Sequence, residues 1–121
     1  MWFENLPENC PPNDSIKPTD FLCFRLAAQN PPNEEDYLSQ REKYPKKKFN
    51  VNECRARSLS VFSERSECEI IKKLPPHHGK YIVAFRLFPG CGVIKKTGRS
   101  KAHYSWWVLS GFLNYLVIEE L

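Results

Sequence analysis

The stretch KYIVAFRLFPGCGVIKKTGRSKAHYSWW, residues 80–107, decides how we interpret the fold. From Tyr81 to Phe88 nearly every position of both parities is apolar, and Arg86 is the exception. A near-continuous run of β-branched and aromatic residues is typical of a strand that is covered on both faces. We therefore predict a central strand at residues 80–88, with the other strands arranged around it.

The second half of this stretch predicts two more strands. Pro89, Gly90 and Gly92 indicate a turn, because proline fixes its own φ and glycine tolerates positive φ. Extended segments follow at residues 92–96 and 102–109, separated by the turn sequence TGRS. Three consecutive strands joined by short turns favour an antiparallel meander.

The rest of the chain adds further strands and two helices. Strands are predicted at residues 21–26 and 58–62, and helices at residues 34–43 and 64–74. Asn33 precedes three acidic residues and favours a helix start, because its side chain can accept a hydrogen bond from a free backbone amide. The helix at 34–43 has few apolar residues and is expected on the surface, whereas the helix at 64–74 is expected to begin at a Ser63 cap.

These elements predict an α+β protein with a small mixed or mostly antiparallel sheet and two short helices. Residues 1–20 are rich in proline, asparagine and aspartate, which predicts an irregular N-terminal arm before a single domain at 21–121. A length of 121 residues fits one domain, and a hydrophobic fraction of 41% argues against disorder throughout. The pattern at residues 108–121 fits either a helix or a strand.

The cysteines and the terminal segments bear on the compartment. The chain has five cysteines, an odd number without close pairs, and no basic and apolar leader. This pattern favours free thiols in a reducing cytoplasm. Residues 106–121 are apolar but too short to cross a membrane and are interrupted by polar residues, so no membrane contact is expected. If exposed, this segment would favour a homo-oligomer.

Two kinds of ligand site are not expected from the spacing of the residues. The cysteines and histidines lack the paired ligands, two to four residues apart, that are typical of zinc sites, so we predict no metal. Gly90 and Gly92 follow a strand as a phosphate-binding loop would, but the next residues look extended and supply no helix N-terminus. We interpret the glycines as a turn.

The first of three functional hypotheses is a non-catalytic binding protein. A histidine lies beside a dense aromatic cluster in the predicted last strand, and basic residues precede it, as in a surface that meets a protein or an anionic ligand. The residues assigned to this surface are His103, Trp106, Trp107, Lys95, Lys96 and Arg99.

The second hypothesis is nucleic-acid binding through residues 41–57. This range holds seven basic and two acidic residues, although the formal net charge of the whole chain is only +4. Tyr44 and Phe49 are interleaved with the basic residues and could stack on bases. The chain has no recognised nucleic-acid-binding motif, and a solvated basic face remains the alternative.

The third hypothesis comes from a family resemblance. The order FLCFRLA (21–27), RSLSVF (57–62) and KYIVAFRLFPGCGVI (80–94) resembles the strand order of the ADP-ribosyltransferase fold. In that family, a first-strand Arg or His and a second-strand Ser-x-Ser bind NAD. The resemblance implies that Arg25 holds the pyrophosphate and that Ser58 and Ser60 hold the nicotinamide ribose, roles that suit a guanidinium and two hydroxyls.

The family's third element, a glutamate in an acid-x-Glu or Gln-x-Glu motif near a later strand, is absent from this chain. Glu119 and Glu120 lie at the end of the sequence, and His103 is a substitute by position. The transferase hypothesis therefore predicts a catalytic site of Arg25, Ser60 and His103. No cofactor is expected under the other two hypotheses, and NAD is expected under this one.

Overall fold

The computed structural model describes residues 1–119, and it confirms a small α+β fold built on one antiparallel sheet. The strands are β1 (Phe21–Ala27), β2 (Leu59–Phe62), β3 (Tyr81–Leu87), β4 (Gly92–Lys96), β5 (His103–Val108) and β6 (Val117–Glu119). The α-helices are α1 (Gln40–Lys43), α2 (Glu53–Ala56) and α3 (Arg65–Lys72), and short 3-10 turns lie between the elements.

The position of β3 differs from the sequence prediction. Its residues 82–85 are buried, as expected for a strand covered on both faces. The strand order is β4-β5-β2-β1-β3-β6, so β3 lies next to the edge strand β6 and is not central. β4 and β5 form the predicted hairpin, but β3 does not pair with β4. The predicted three-strand meander is therefore wrong.

The turn after β3 carries the chain away from that strand. Residues Pro89–Cys91 form a 3-10 turn, and Gly92 follows with a φ of 131°. A Cβ added at Gly92 would overlap the backbone carbonyl of Trp107 on the paired strand. Glycine is required here for both its conformation and its small size. After this turn, β4 pairs with β5 and not with β3.

The two faces of the sheet support separate clusters of apolar residues. On one face an aromatic cluster forms around Trp106, which is fully buried and contacts the rings of Tyr37, Phe85 and Phe112 at centroid distances of 5.7–6.4 Å. On the other face α3 packs on Phe62 and Ile82 through its buried Cys68. Alternation along the strands thus divides the core, and both halves stabilise the sheet.

Two helix predictions require correction. The Asn33 cap is present, but residues 34–43 form a 3-10 turn at Glu34–Tyr37 and a separate α1, because Leu38 is extended and Ser39 caps the second piece. The first piece is not a surface element, since Tyr37 is only 3% exposed. The predicted Ser63 cap of the later helix is also wrong, because Glu64 occupies the cap position of α3 without a side-chain bond.

The N-terminal arm has no regular element but is tied to the sheet at several points. It forms isolated bridges at Trp2 with Leu109 and at Ile16 with Ile94. A disulfide joins Cys10 to Cys54 in α2. The prediction of five free thiols is therefore wrong for these two cysteines, while the other three are free and buried.

No helix within residues 1–119 has the length and apolar character needed to cross a membrane. The terminal segment, whose conformation was undecided from sequence, forms a 3-10 turn at Phe112–Asn114 and then β6. Four of its apolar residues are between 44% and 55% exposed, namely Leu113, Tyr115, Val117 and Ile118. Residues 120 and 121 lie outside the described part.

Candidate functional site

Three neighbouring strands carry the residues assigned to the transferase site. Arg25 lies on β1, Ser60 on β2 and His103 on β5, and these strands are adjacent in the order β5-β2-β1. In the β2–β5 register, Ser60 faces Ser105 and Phe62 faces His103. Residues that are 35 and 43 positions apart along the chain are therefore brought together by the pairing of the strands.

Arg25 fills an opening between β1 and β2. These strands pair at Phe24 and Phe62 alone, whereas β1 pairs with β3 along its full length. The Arg25 guanidinium donates from Nη1 to the Ser60 carbonyl oxygen at 2.6 Å and from Nε to the Asp36 carbonyl oxygen at 3.2 Å. Charge-assisted hydrogen bonds thus replace part of the missing strand ladder.

Asp36 organises the loop that faces this guanidinium. Its carboxylate accepts hydrogen bonds from the backbone amides of Ala28, Gln29 and Asn33, and the residue is only 5% exposed. These bonds hold the Asp36 backbone in place. The carbonyl oxygen that Arg25 contacts is therefore part of a rigid loop.

Ser60 and His103 form a hydrogen-bonded pair. Ser60 Oγ lies 2.9 Å from His103 Nε2, and His103 Nδ1 lies 3.0 Å from the Thr97 carbonyl oxygen. The Thr97 hydroxyl oxygen also lies 3.1 Å from Nδ1. In the tautomer with its proton on Nδ1, His103 donates to the Thr97 carbonyl oxygen, and the Nε2 lone pair accepts from the hydroxyl of the exposed Ser60.

The environment of His103 favours the neutral imidazole. Burial lowers the pKa of His103 from its ordinary value, and the nearby positive charge of Arg55 lowers this pKa further. The hydrogen bond with the Thr97 backbone acts in the opposite direction but does not reverse the shift. His103 is therefore neutral at pH 7, the form that a proton acceptor requires.

We expect an NMR titration of the His103 ring to give a midpoint below 6.5, the ordinary histidine value. The folded state then favours neutral His103, so its contribution to stability is complete above about pH 6.5 and is lost as pH falls through the folded-state pKa. The reference value is the pKa of His103 measured in the urea-unfolded chain. A folded-state midpoint equal to or above that reference would contradict the assigned environment.

Ser58 does not join this arrangement. Its hydroxyl donates to the Arg55 carbonyl oxygen at 2.7 Å within the turn that precedes β2. The resemblance implies that the Ser58 hydroxyl binds the nicotinamide ribose, but this hydroxyl is already used to stabilise a turn. Of the two serines in the motif, only Ser60 presents its side chain beside His103.

The two tryptophans assigned to a binding surface are buried. Trp106 and Trp107 are 0% and 1% exposed, and their indole N–H groups donate to the Cys91 and Cys54 carbonyl oxygens. Both faces of β5 are covered at this point, so the aromatic part of the predicted surface is wrong. A run of aromatic residues predicts a strand but not its burial, because burial depends on which other segments pack on that strand.

The basic residues of that surface have different environments. Lys95 pairs with Asp14 of the N-terminal arm at 3.0 Å. Lys96 and Arg99 are exposed at the end of the β4–β5 hairpin. Only these two residues of the predicted set, apart from His103, are available to an anionic partner without breaking an ion pair.

The basic range at residues 41–57 is partly neutralised within the chain. Arg41 pairs with Glu53 and also donates to backbone carbonyls, and Arg57 pairs with Glu4, Glu42 and Glu53. Lys47 lies 5.6 Å from the ring centroids of Tyr44 and Phe49. The aromatic residues expected to stack on bases are thus in contact with lysine, and nucleic-acid binding stays a prediction.

Sequence reasoning missed Thr97, Asp36 and Arg55 as parts of the site. Thr97 belongs to a turn signal, and Asp36 to a helix start, so each had a local explanation that hid its tertiary role. Within residues 1–119, no three His, Cys, Asp or Glu side chains come together as a metal site would require. Comparisons with protein-family models, with curated proteins and with solved structures found no match.

Proposed function

We propose that this protein is an NAD-using enzyme of the ADP-ribosyltransferase type, with Arg25, Ser60 and His103 in its site. The supporting observation is that, on three adjacent strands, Arg25 donates to the Ser60 backbone carbonyl and the Ser60 hydroxyl bonds His103. A resemblance in short sequence motifs selected Arg25 and Ser60, His103 was a substitute by position, and the three residues are widely separated along the chain. Proximity of this kind is what a shared ligand requires.

The charge around Arg25 fits a pyrophosphate. A guanidinium has five N–H donors, and two of those of Arg25 are used by the Asp36 and Ser60 carbonyls. Burial, together with the nearby charges of Arg25 and Lys80, lowers the pKa of Lys43, while the carboxylates of Asp36 and Glu35 act in the opposite direction. The donors of Arg25 that are not used within the chain could bind an anionic group beside it.

The Ser60–His103 pair fits a ribose hydroxyl. The exposed Ser60 hydroxyl can donate to the sugar, and the Nε2 lone pair of His103 can accept the proton of a hydroxyl that replaces Ser60 as its partner. When bound, NAD would supply an activated ADP-ribose group. His103 then takes the proton-accepting role that the family's glutamate performs.

The family glutamate has no equivalent in this cluster. Glu119 lies on β6, with β3 between it and β1, and pairs with Arg86 at 2.6 Å. Glu120 lies outside the described residues. The proposal therefore assigns proton acceptance to His103 and not to a carboxylate.

Partner binding through Lys96 and Arg99 is the second candidate function. The two cations are exposed at one end of the β4–β5 hairpin, and within residues 1–119 neither forms an ion pair. They would meet an anionic ligand or an acidic protein surface. This site is distinct from the one around Arg25, so the two candidates respond to different substitutions.

Isothermal titration calorimetry with NAD separates the candidates. We expect NAD to bind, and Ser60→Ala and His103→Gln each to weaken binding about three- to tenfold, as the loss of one hydrogen bond would. Ser66→Ala, at an exposed serine on α3, is the matched control and should leave the affinity unchanged. Release of nicotinamide, followed by chromatography, should fall with His103→Gln.

Two outcomes would count against the transferase proposal. The first is the absence of NAD binding at millimolar concentration to the folded wild-type protein. The second is NAD binding that depends on Lys96 and Arg99, tested as a double alanine variant, and not on Ser60. The second result would favour the partner-binding candidate.

A further inference from the structure

Arg55 is a basic residue that lies beside the Ser60–His103 pair and lowers the pKa of His103, but the proposed function assigns it no ligand. It belongs to α2, which ends just before β2. Its amide donates to Asn52 Oδ1 at 2.8 Å, and its carbonyl accepts from Ser58 Oγ at 2.7 Å. The preceding residue, Cys54, is joined to Cys10. The backbone of Arg55 is therefore held from both sides and through the disulfide.

The guanidinium of Arg55 reaches the turn between β4 and β5. Its Nη2 atom lies 3.0 Å from the point where a Cβ on Gly98 would stand, and His103 Nδ1 lies 3.2 Å from the same point. Gly98 has a φ of 76°, so glycine suits both the conformation and the space. The absent side chain leaves room for Arg55 beside the imidazole.

The positive charge of Arg55 is not paired with a negative charge within the described residues. Arg41 and Arg57, the other arginines of the same basic range, form ion pairs with glutamates. Across residues 1–119 the guanidinium of Arg55 has no ion pair and no hydrogen bond, although the side chain is only partly exposed. The donors of this guanidinium are therefore available to an anion.

Arg25 and Arg55 lie on opposite sides of the Ser60–His103 pair. Arg25 reaches Ser60 from β1, whereas Arg55 lies beside His103 at the β4–β5 turn, beyond β5 in the strand order. If the pyrophosphate is bound at Arg25 and the ribose at Ser60 and His103, then Arg55 faces a different group.

We propose that Arg55 binds a second anionic oxygen group, a phosphate or a carboxylate, next to Ser60 and His103. The identity of the first anion, the pyrophosphate at Arg25, rests on the proposed function. The existence of a second anion at Arg55 does not. The pyrophosphate is the only anionic group of NAD and is assigned to Arg25, so the second group belongs to the acceptor. A guanidinium recognises both phosphate and carboxylate through paired hydrogen bonds.

The first experiment uses inorganic phosphate as the probe, with the full chain and its disulfide intact. We expect the His103 ring signals to shift on addition of phosphate, and we expect the apparent affinity to fall as sodium chloride is added. Arg55→Gln should reduce this affinity at least tenfold. Arg65→Gln is the matched control, because Arg65 is an exposed arginine on α3 that pairs with Glu69. Equal phosphate affinity in wild type and Arg55→Gln would overturn the proposal.

The second experiment identifies the source of the anion and separates this inference from the transferase proposal. If Arg55→Gln weakens phosphate binding and NAD binding together, Arg55 contacts the pyrophosphate and the proposal of a second anion is overturned. If it weakens phosphate binding but leaves NAD affinity unchanged, the anion belongs to the acceptor. Phosphate binding that requires Arg55, in a protein that does not bind NAD, would overturn the transferase proposal and support the anion site.

Discussion

Replacing Arg25 by lysine is expected to weaken NAD binding about 10- to 100-fold. Lysine keeps the positive charge but lacks the planar fork. It carries all its donors on one nitrogen, so it cannot reproduce the separate Nε and Nη1 bonds to Asp36 and Ser60 while a further nitrogen faces the ligand. A loss of this size despite the retained charge would indicate that the fork, and not the charge alone, holds the ligand. Isothermal titration calorimetry with NAD measures the change.

The same substitution should lower the free energy of unfolding by about 1–2 kcal/mol, because one partly buried carbonyl loses its donor. Urea denaturation then establishes that the variant is folded under the binding conditions. Arg86→Lys is the matched control, since Arg86 also lies on an inner strand but pairs with Asp20 and Glu119 away from the site. If Arg25→Lys binds NAD as tightly as Arg86→Lys does, Arg25 has no role in the ligand site.

Removing the disulfide is expected to have the largest effect on stability. Cys10 and Cys54 are 44 residues apart, and the chain-entropy model gives about 4 kcal/mol for closing a loop of this length. The double replacement Cys10→Ser with Cys54→Ser should lower the urea midpoint accordingly. Because Cys54 adjoins Arg55, it should also reduce phosphate binding at the second anion site.

Reduction of the wild-type protein with dithiothreitol should reproduce the loss of stability. The double-serine variant is the control, because dithiothreitol should not change its midpoint. Cys23, Cys68 and Cys91 are buried and free, and burial raises the pKa of Cys68 to about 12, so these thiols are unreactive at neutral pH. If dithiothreitol leaves wild-type stability unchanged, the disulfide does not stabilise the fold.

The disulfide also changes the argument about the compartment. Free thiols supported the expectation of a reducing cytoplasm, and two of the five cysteines are paired. Structural disulfides persist mainly in oxidising surroundings. The cytoplasmic location therefore stays a prediction that the cysteines no longer support.

The candidate site could be predicted in part. The residue types and strand positions of Arg25 and Ser60 followed from short motifs, and His103 was chosen by its position on a predicted strand. Their proximity did not follow, since the sequence pattern suggested β3 as the centre of the sheet, in a meander with β4 and β5. In the structure β5 pairs with β2, and this pairing brings the His103 ring to the Ser60 hydroxyl.

Local sequence determined the strands and turns. The apolar run at 81–87 formed the expected strand, Gly92 lies in the expected turn and Asn33 forms the expected cap, because side-chain alternation, positive φ and capping depend on a few neighbouring residues. Tertiary structure alone decided the strand order, the burial of Trp106 and Trp107, the Cys10–Cys54 bond and the position of Arg55 beside His103. These features depend on which distant segments pack together, and that choice is made by the free energy of the whole chain and not by any local pattern.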